Sequence, residues 1–488
     1  MYRIGGSGPA AARWTGVGPR RLTWTRRAPG RLARLGALAA AALLGGCATY
    51  HALPLARRAD LAAGLAGLRT ELPPLRPGAA PRRINIDRPL QIDQIGLLAV
   101  LNDPALRTEQ GTLAEAQAGL EQASILPNPT ASLTYEALLG GAGGVSPTWS
   151  ASLTEDVGAI LTYHTRVKSA RFALGAVNAD LLWREWQVAQ RARVLALDLY
   201  WGRASLRASA REARLLDAEA RDAQAAAASR SFDLTALAPI LAAKAAADQN
   251  LAALALAQLR AWQALDALLG LEPTVRFAIA PPALPPLPLP SSLQALLAHL
   301  PERRPDLVAL RLGYRSADEN VRTAIIGQFP AMVLGGQWDQ DNTNTRTAGP
   351  VTTFGLPIFD RNQGQIAAAR ATRLMLHAQY QARLDGAVGT VRGLLAQARQ
   401  LQRELRQALR SAAAAAALAR SARSAYTRGD IDERALTNYL TASLERRLEV
   451  NSLERTLDAA RVAVTLELGA GLPQVRIVPA AEKSKRTP

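Results

Sequence analysis

The sequence predicts a mainly α-helical fold with a small β part, duplicated within one chain. Two long proline-free stretches rich in Ala, Leu, Arg and Gln predict the helices, and two pairs of alternating segments predict the β part. Local patterns that recur at an offset of about 200 residues predict the duplication.

Residues 1–46 hold eight arginines and no acidic residue. Within them the run from Leu35 to Leu44, LGALAAAALL, has the length of a signal-peptide core and is too short to span a bilayer as a helix. It leads into Leu44-Gly45-Gly46-Cys47. Small residues let a peptidase bind the chain extended, and the thiol one place later is a nucleophile that can be acylated. The string LGGC resembles a bacterial lipoprotein signal, and that resemblance makes Cys47 the lipid-bearing first residue of the mature chain. Ala48 follows, where an aspartate would resemble an inner-membrane retention signal, so outer-membrane lipid is the expected anchor surface. The expected division is a signal peptide at 1–46 and a lipid-anchored linker at 47–90.

Proline-rich stretches at Pro73–Pro89 and Pro273–Pro290 read as extended connectors. No proline falls between Pro147 and Pro239 or between Pro357 and Pro473. The stretch from Arg166 to Ser229 alone would make roughly 95 Å of helix. Pro104-Ala105-Leu106 pairs with Pro305-Asp306-Leu307, Leu126-Pro127 with Phe329-Pro330, and Leu269-Gly270-Leu271 with Leu468-Gly469-Ala470. Two copies of one unit follow, at 91–272 and 292–473, each a helix, a β-hairpin, a very long helix and a return helix. The segment 273–291 connects them, and 474–488 is a tail.

The first hairpin is expected at Ala131–Glu136 and Trp149–Thr154, both alternating apolar and polar. The second is expected at Met332–Trp338 and Val351–Leu356, with Asp339–Thr345 as its loop. A soluble hairpin with one face on a core shows the same alternation. In an exported chain, strands of this length cross an outer membrane when tilted, and Tyr135, Trp149 and Trp338 are candidate membrane-interface aromatics. Strands in lipid must close into a barrel, and two hairpins supply only four strands. At least two chains must then share one barrel, and three would give twelve strands.

Along the second long helix, Val391, Leu394, Ala398, Leu401, Leu405, Ala408, Ala412, Ala415, Ala419 and Ala422 alternate steps of three and four. This is a coiled-coil seam, which a hairpin within one chain also satisfies. Leu395, Leu409 and Leu418 suggest a second flank, as a tube of helices requires.

Composition excludes several function classes. The formal charge is +18, of which the first 46 residues carry eight, and the rest shows no basic-plus-aromatic clustering, so no nucleic-acid partner is expected. One cysteine in 488 residues leaves no disulfide framework or redox pair. His51, His164, His299 and His377 are scattered; only His299 has a carboxylate at helical spacing, Glu302, with Pro301 between them. No metal site and no cofactor is expected, and with no catalytic constellation, no enzyme. Asp339 and Asp341 begin like a calcium loop, but the central glycine and closing glutamate do not follow.

Arg304-Pro305-Asp306-Leu307, Gly355-Leu356-Pro357-Ile358-Phe359-Asp360 and Tyr426-Thr427-Arg428-Gly429-Asp430, in this order over Gln91–Pro473 and behind the lipoprotein signal, resemble the TolC family of outer-membrane channel proteins. The resemblance implies a homotrimer whose twelve-stranded outer-membrane β-barrel continues into a periplasmic α-barrel. It also implies two partners, a periplasmic adaptor (membrane fusion) protein and an inner-membrane efflux pump. Asp360-Arg361-Asn362-Gln363-Gly364 looks closest to the branch serving heavy-metal cation pumps. By position, Tyr426 resembles a gate tyrosine, and Arg428, Asp430 and Asp233 are the other candidates for a periplasmic gate. The sequence departs from the family at Ser231–Thr235, which lacks the usual tip glycine, and at Ile431, which stands where the tyrosine's arginine partner is expected. The alternatives are a type I secretion channel, or a coiled-coil scaffold lipoprotein with no pore, which would have no use for paired alternating hairpins.

Overall fold

The computed structural model describes residues 50–72, 82–140, 143–229, 234–330 and 332–470. The chain divides into an N-terminal unit, Met1–Ala59, and a larger unit, Asp60–Pro488. Residues 50–59 of the first are exposed and form neither helix nor strand. The expected signal segment 1–46 and tail 474–488 lie outside the described residues.

In the larger unit one order of elements occurs twice. The first pass is α1 (Ile92–Asn102), α2 (Pro104–Ala123), β1 (Thr130–Glu136), β2 (Thr148–Asp156), α3 (Val157–Ala228) and α4 (Leu234–Leu269). The second is α5 (Pro290–Ala298), the short α6 (Leu300–Arg303), α7 (Pro305–Ile326), β3 (Met332–Gln340), β4 (Arg346–Phe354), α8 (Gln363–Thr427) and α9 (Glu433–Glu467). Pro104 and Pro305 both stand at helix starts, where a missing N–H costs nothing.

Helix α3 begins nine residues earlier than its composition suggests, because Asp156 caps it, accepting from the backbone N–H of Gly158 at 2.8 Å. Its 72 residues make about 108 Å of uninterrupted helix. Both return helices stop on a glycine in the left-handed region, Gly270 (φ +67) and Gly469 (φ +64). In each case the next residue's N–H reaches the carbonyl five back, Leu271 to Asp266 and Ala470 to Thr465. A Cβ on Gly469 would also lie 3.1–3.2 Å from Arg303, whereas the same atom on Gly429 (φ +79), at the α8–α9 turn, would meet nothing. Both alanine variants are expected to lose roughly 1–2 kcal/mol from the left-handed backbone. Gly469→Ala should show the larger fall in thermal midpoint, since Arg303 must also yield.

Each hairpin of long helices is closed by an apolar seam, and each repeat has its own core where its short helices pack across that hairpin. In the first, Leu90, Ile92, Ile95, Leu98, Leu265 and Leu269 are at most 1% exposed, and full burial of such a side chain contributes roughly 1.5–3 kcal/mol. In the second, Leu300, Leu307, Val391 and Val464 form the equivalent core. Leu395 belongs to it and is buried, so it is not part of a second flank; Leu409 and Leu418 are exposed. Val391, Ala398, Leu401, Leu405 and Ala408 are buried, and the last four pack with residues of α9. This part of the seam therefore lies within one chain.

The string that opens α7 builds the joint between the repeats. Arg304, 2% exposed, donates from Nε and Nη2 to the two carboxylate oxygens of Asp306 at 3.0 and 2.7 Å, and from Nη1 to the Glu467 carboxylate at the end of α9. Its guanidinium also lies 4.7 Å from the Trp183 ring on α3. Arg383 of α8 adds a second donor to Asp306 at 2.7 Å.

Candidate functional site

Four strands form one antiparallel sheet in the order β1-β2-β3-β4, so the hairpins of the two repeats lie side by side through β2 and β3. Strand β4 starts at Arg346 instead of Val351, and the loop shrinks to 341–345. Alternation gave no signal there, because Gly349 and Pro350, residues that ordinarily mark a turn, interrupt the strand. The loop is closed by Asp341, whose Oδ1 accepts from the Thr343 hydroxyl and from the backbone N–H of Thr343 and Thr345 at 2.8–2.9 Å. The Thr343 hydroxyl first, with these N–H groups, holds that carboxyl below its ordinary value.

Register sorts the side chains onto two faces, since directly paired residues share a face. One carries Ala131, Leu133 and Tyr135 of β1 opposite Leu153, Ala151 and Trp149 of β2, and continues through Leu334 and Trp338 of β3 to Pro350 and Ala348 of β4, with Glu155 at its helix end and Gln340 and Arg346 at its loop end. The other carries Ser132, Thr134 and Glu136, then Thr148, Ser150 and Ser152, then Gln337 and Asp339. On the polar face Ser132 and Ser152 share a hydrogen bond at 2.8 Å, and Thr148 donates to Glu136 at 3.0 Å. The apolar face is uncovered: Leu133 is 77% exposed, Tyr135 65% and Trp338 48%. Among the described residues no helix is long and apolar enough to cross a membrane.

The three candidate aromatics come together on that apolar face, toward the loop end of the sheet. Tyr135 is directly opposite Trp149, and Trp338 is opposite Ala151 in the adjoining row. Trp149 Nε1 donates to Gln340 Oε1 at 3.1 Å. The sequence reading missed a second apolar group at the helix end of the sheet: Phe329, Leu356, Ile358 and Phe359 are all exposed. Their signal was apolar residues in connecting segments, where turn chemistry favours polar ones. The motif that follows shapes the link into α8. Asp360 Oδ1 accepts from the Asn362 N–H, Gln363 Oε1 accepts from the Arg361 N–H, and Asn362, at φ +60, donates to the Ala324 carbonyl.

At the far end of the helices Tyr426, Arg428 and Asp430 share one turn. Arg428 Nε donates to Asp430 at 2.8 Å, and Tyr426 is exposed. Gly429 lets the turn close, with the Asp430 N–H on the Ala425 carbonyl. Asp233 and Cys47 lie outside the described residues. His299 and Glu302 do approach, at 3.5 Å, because Pro301 sits in the first turn of α6 and does not break it; both side chains are exposed. Among the described residues no three ligand-type side chains come together.

No curated protein matches the sequence. Residues 296–470 match the family model described as outer membrane efflux protein. Among solved structures, CusC, studied for conformational changes accompanying folding and transmembrane channel formation, shares 17% identity with a TM-score of 0.64, covering 78% of this chain and 92% of that one. The outer membrane protein VceC of Vibrio cholerae shares 18% identity with a TM-score of 0.62, over 78% and 96%. The CmeC outer membrane channel of Campylobacter jejuni shares 15% identity with a TM-score of 0.64, over 78% and 85%. At these identities the likeness establishes the fold. Residues 296–470 thus carry the outer membrane efflux protein domain, and the chain has the fold of solved outer-membrane channels, as its resemblance to the TolC family implied.

Proposed function

We propose that three copies of this chain form an outer-membrane efflux channel, the exit duct of a tripartite system. The observation that carries this reading is the sheet, which has one apolar face open and two edges, β1 and β4, that lack a partner within the described residues. An apolar sheet face exposed to water is costly, and an open edge in lipid leaves unsatisfied backbone groups at several kcal/mol each. Joining β4 of one copy to β1 of the next removes both costs, and three copies close at twelve strands, within the range of outer-membrane barrels. The polar face then lines the passage and the aromatic cluster meets one membrane interface. The exposed group around Phe359 would meet the other.

In this reading Cys47 carries the lipid anchor in the outer membrane. The tip containing Tyr426, Arg428, Asp430 and Asp233 is the periplasmic gate. A periplasmic adaptor delivers cargo there from an inner-membrane pump. Metal cations are the cargo suggested by the string at Asp360–Gly364. Full-length protein in planar bilayers is expected to give discrete conductance steps. A stable oligomer that never conducts would instead favour the scaffold reading. Deletion of the gene should raise susceptibility to metal salts; raised susceptibility to drugs alone would remove the metal assignment.

A further inference from the structure

The two hairpins of long helices are each sealed by apolar residues, but they meet one another differently. Where α3 packs antiparallel against α9, the α3 positions at heptad spacing are Asp198, Ser205, Glu212 and Glu219. The first two have partners: Asp198 accepts from Arg455 at 3.0 Å, and Ser205 from Asn451 at 3.5 Å. Glu212 does not. It is 8% exposed, and its Oε2 is buried without a hydrogen-bond partner. One turn away on the same face, Ser209 is 0% exposed and its Oγ is likewise unpartnered.

We propose that Glu212 is a proton-operated latch between the two hairpins: the closed α3–α9 seam holds its carboxyl protonated, and ionisation loosens the seam. A buried carboxylate without a cation is costly, whereas a protonated carboxyl carries no charge to desolvate. The charged groups around it do not offset the charge. On α9, Glu445 stands at the level of Glu212, six residues before the Asn451 that meets Ser205, and adds a like charge. Arg446 of α9 is engaged by Glu449 at 2.7 Å. On α4, packed against the other side of α3, Lys244 is held by Asp248 at 2.7 Å and Asp217 at 3.5 Å. Burial first, and Glu445 second, raise the Glu212 carboxyl above its ordinary value of 4.5. The closed seam therefore binds the proton more tightly than the open one. Closure is therefore favoured as pH falls through the raised value and lost as pH rises through it.

The seam lies within one chain, so the test does not depend on conduction. Hydrogen exchange is followed on the full-length protein in detergent between about pH 5 and pH 8, corrected for intrinsic rates, on the segments 205–219 and 441–451. The wild type should gain protection on both segments toward acid, because the closed seam binds the proton more tightly than the open one. Glu212→Gln, which mimics the neutral form, should be protected at both ends of the range. Glu445→Gln, at an exposed position, should keep the transition but move its midpoint to lower pH. Protection that does not change with pH in the wild type, or that changes equally in Glu212→Gln, overturns the proposal. In bilayers the same variants separate the two ideas: channels that conduct but ignore Glu212 leave the duct standing and remove the latch.

Discussion

Arg304→Leu is expected to cost about 3–5 kcal/mol of stability, the range found when one partner of a buried charge group is removed. The removed guanidinium neutralises Asp306 and Glu467 while lying against Trp183, so deletion leaves a buried carboxylate with only Arg383 to answer it. Arg304→Lys should recover only part of the loss, because a single ammonium cannot reproduce the two parallel bonds to Asp306. Urea unfolding of the full-length protein in detergent measures both. The acid side gives an independent signature. Burial raises the Asp306 carboxyl, but hydrogen bonds and charge from Arg304 and Arg383 outweigh it and hold the group below 3.8. Its contribution is therefore present above 3.8 and lost as pH falls through the lower folded value. That part of the acid dependence should shrink in Arg304→Leu. An unchanged unfolding midpoint would mean that the joint between the repeats is held by its apolar core alone.

Leu133→Arg and Thr134→Arg are adjacent substitutions on β1 with opposite expected outcomes. Leu133 lies midway along the strand on the apolar face, and Thr134 points to the polar face. If the apolar face meets hydrocarbon, arginine at Leu133 costs about 2–4 kcal/mol near the bilayer midplane, whereas arginine in a wet passage costs little. Urea titration of folding into lipid vesicles should separate the two variants by that margin. Equal tolerance of both would remove the lipid-facing assignment of the sheet, and with it the barrel.

The long helices were legible because their signal is local and redundant: proline absence, high-propensity composition and an apolar period repeated over many turns. The ends were less so. The start of α3 turned on a single carboxylate, Asp156, serving as cap to a strand that becomes a helix without a loop. Alternation marked Tyr135, Trp149 and Trp338 as strand residues on one side or the other. That they share a face depended on the register of β2 against β3, a pairing across almost two hundred residues. Leu395 was assigned to the wrong flank because helical periodicity gives a direction and not the neighbour found there, in this case Leu300 and Leu307. Arg304-Pro305-Asp306-Leu307 was visible as a string, but its chemistry needed Glu467 and Trp183, brought in from two other helices. Glu212 carried a usable signal that periodic apolar patterns conceal: Asp198, Ser205, Glu212 and Glu219 recur at a heptad step, which puts polar residues on one face of α3.

The two crossings from sheet to helix differ mechanically. Strand β2 passes into α3 at Asp156–Val157 with no intervening residue, whereas β4 reaches α8 through residues 355–362. A straight rod clamped at one end acts as a lever: one degree of change in the tilt of β2 sweeps the far end of α3 by about 1.9 Å over its length. The link before α8 absorbs such a rotation in its own backbone torsions. In the proposed barrel, a change in strand tilt would therefore be passed on in full to α3 and only in part to α8.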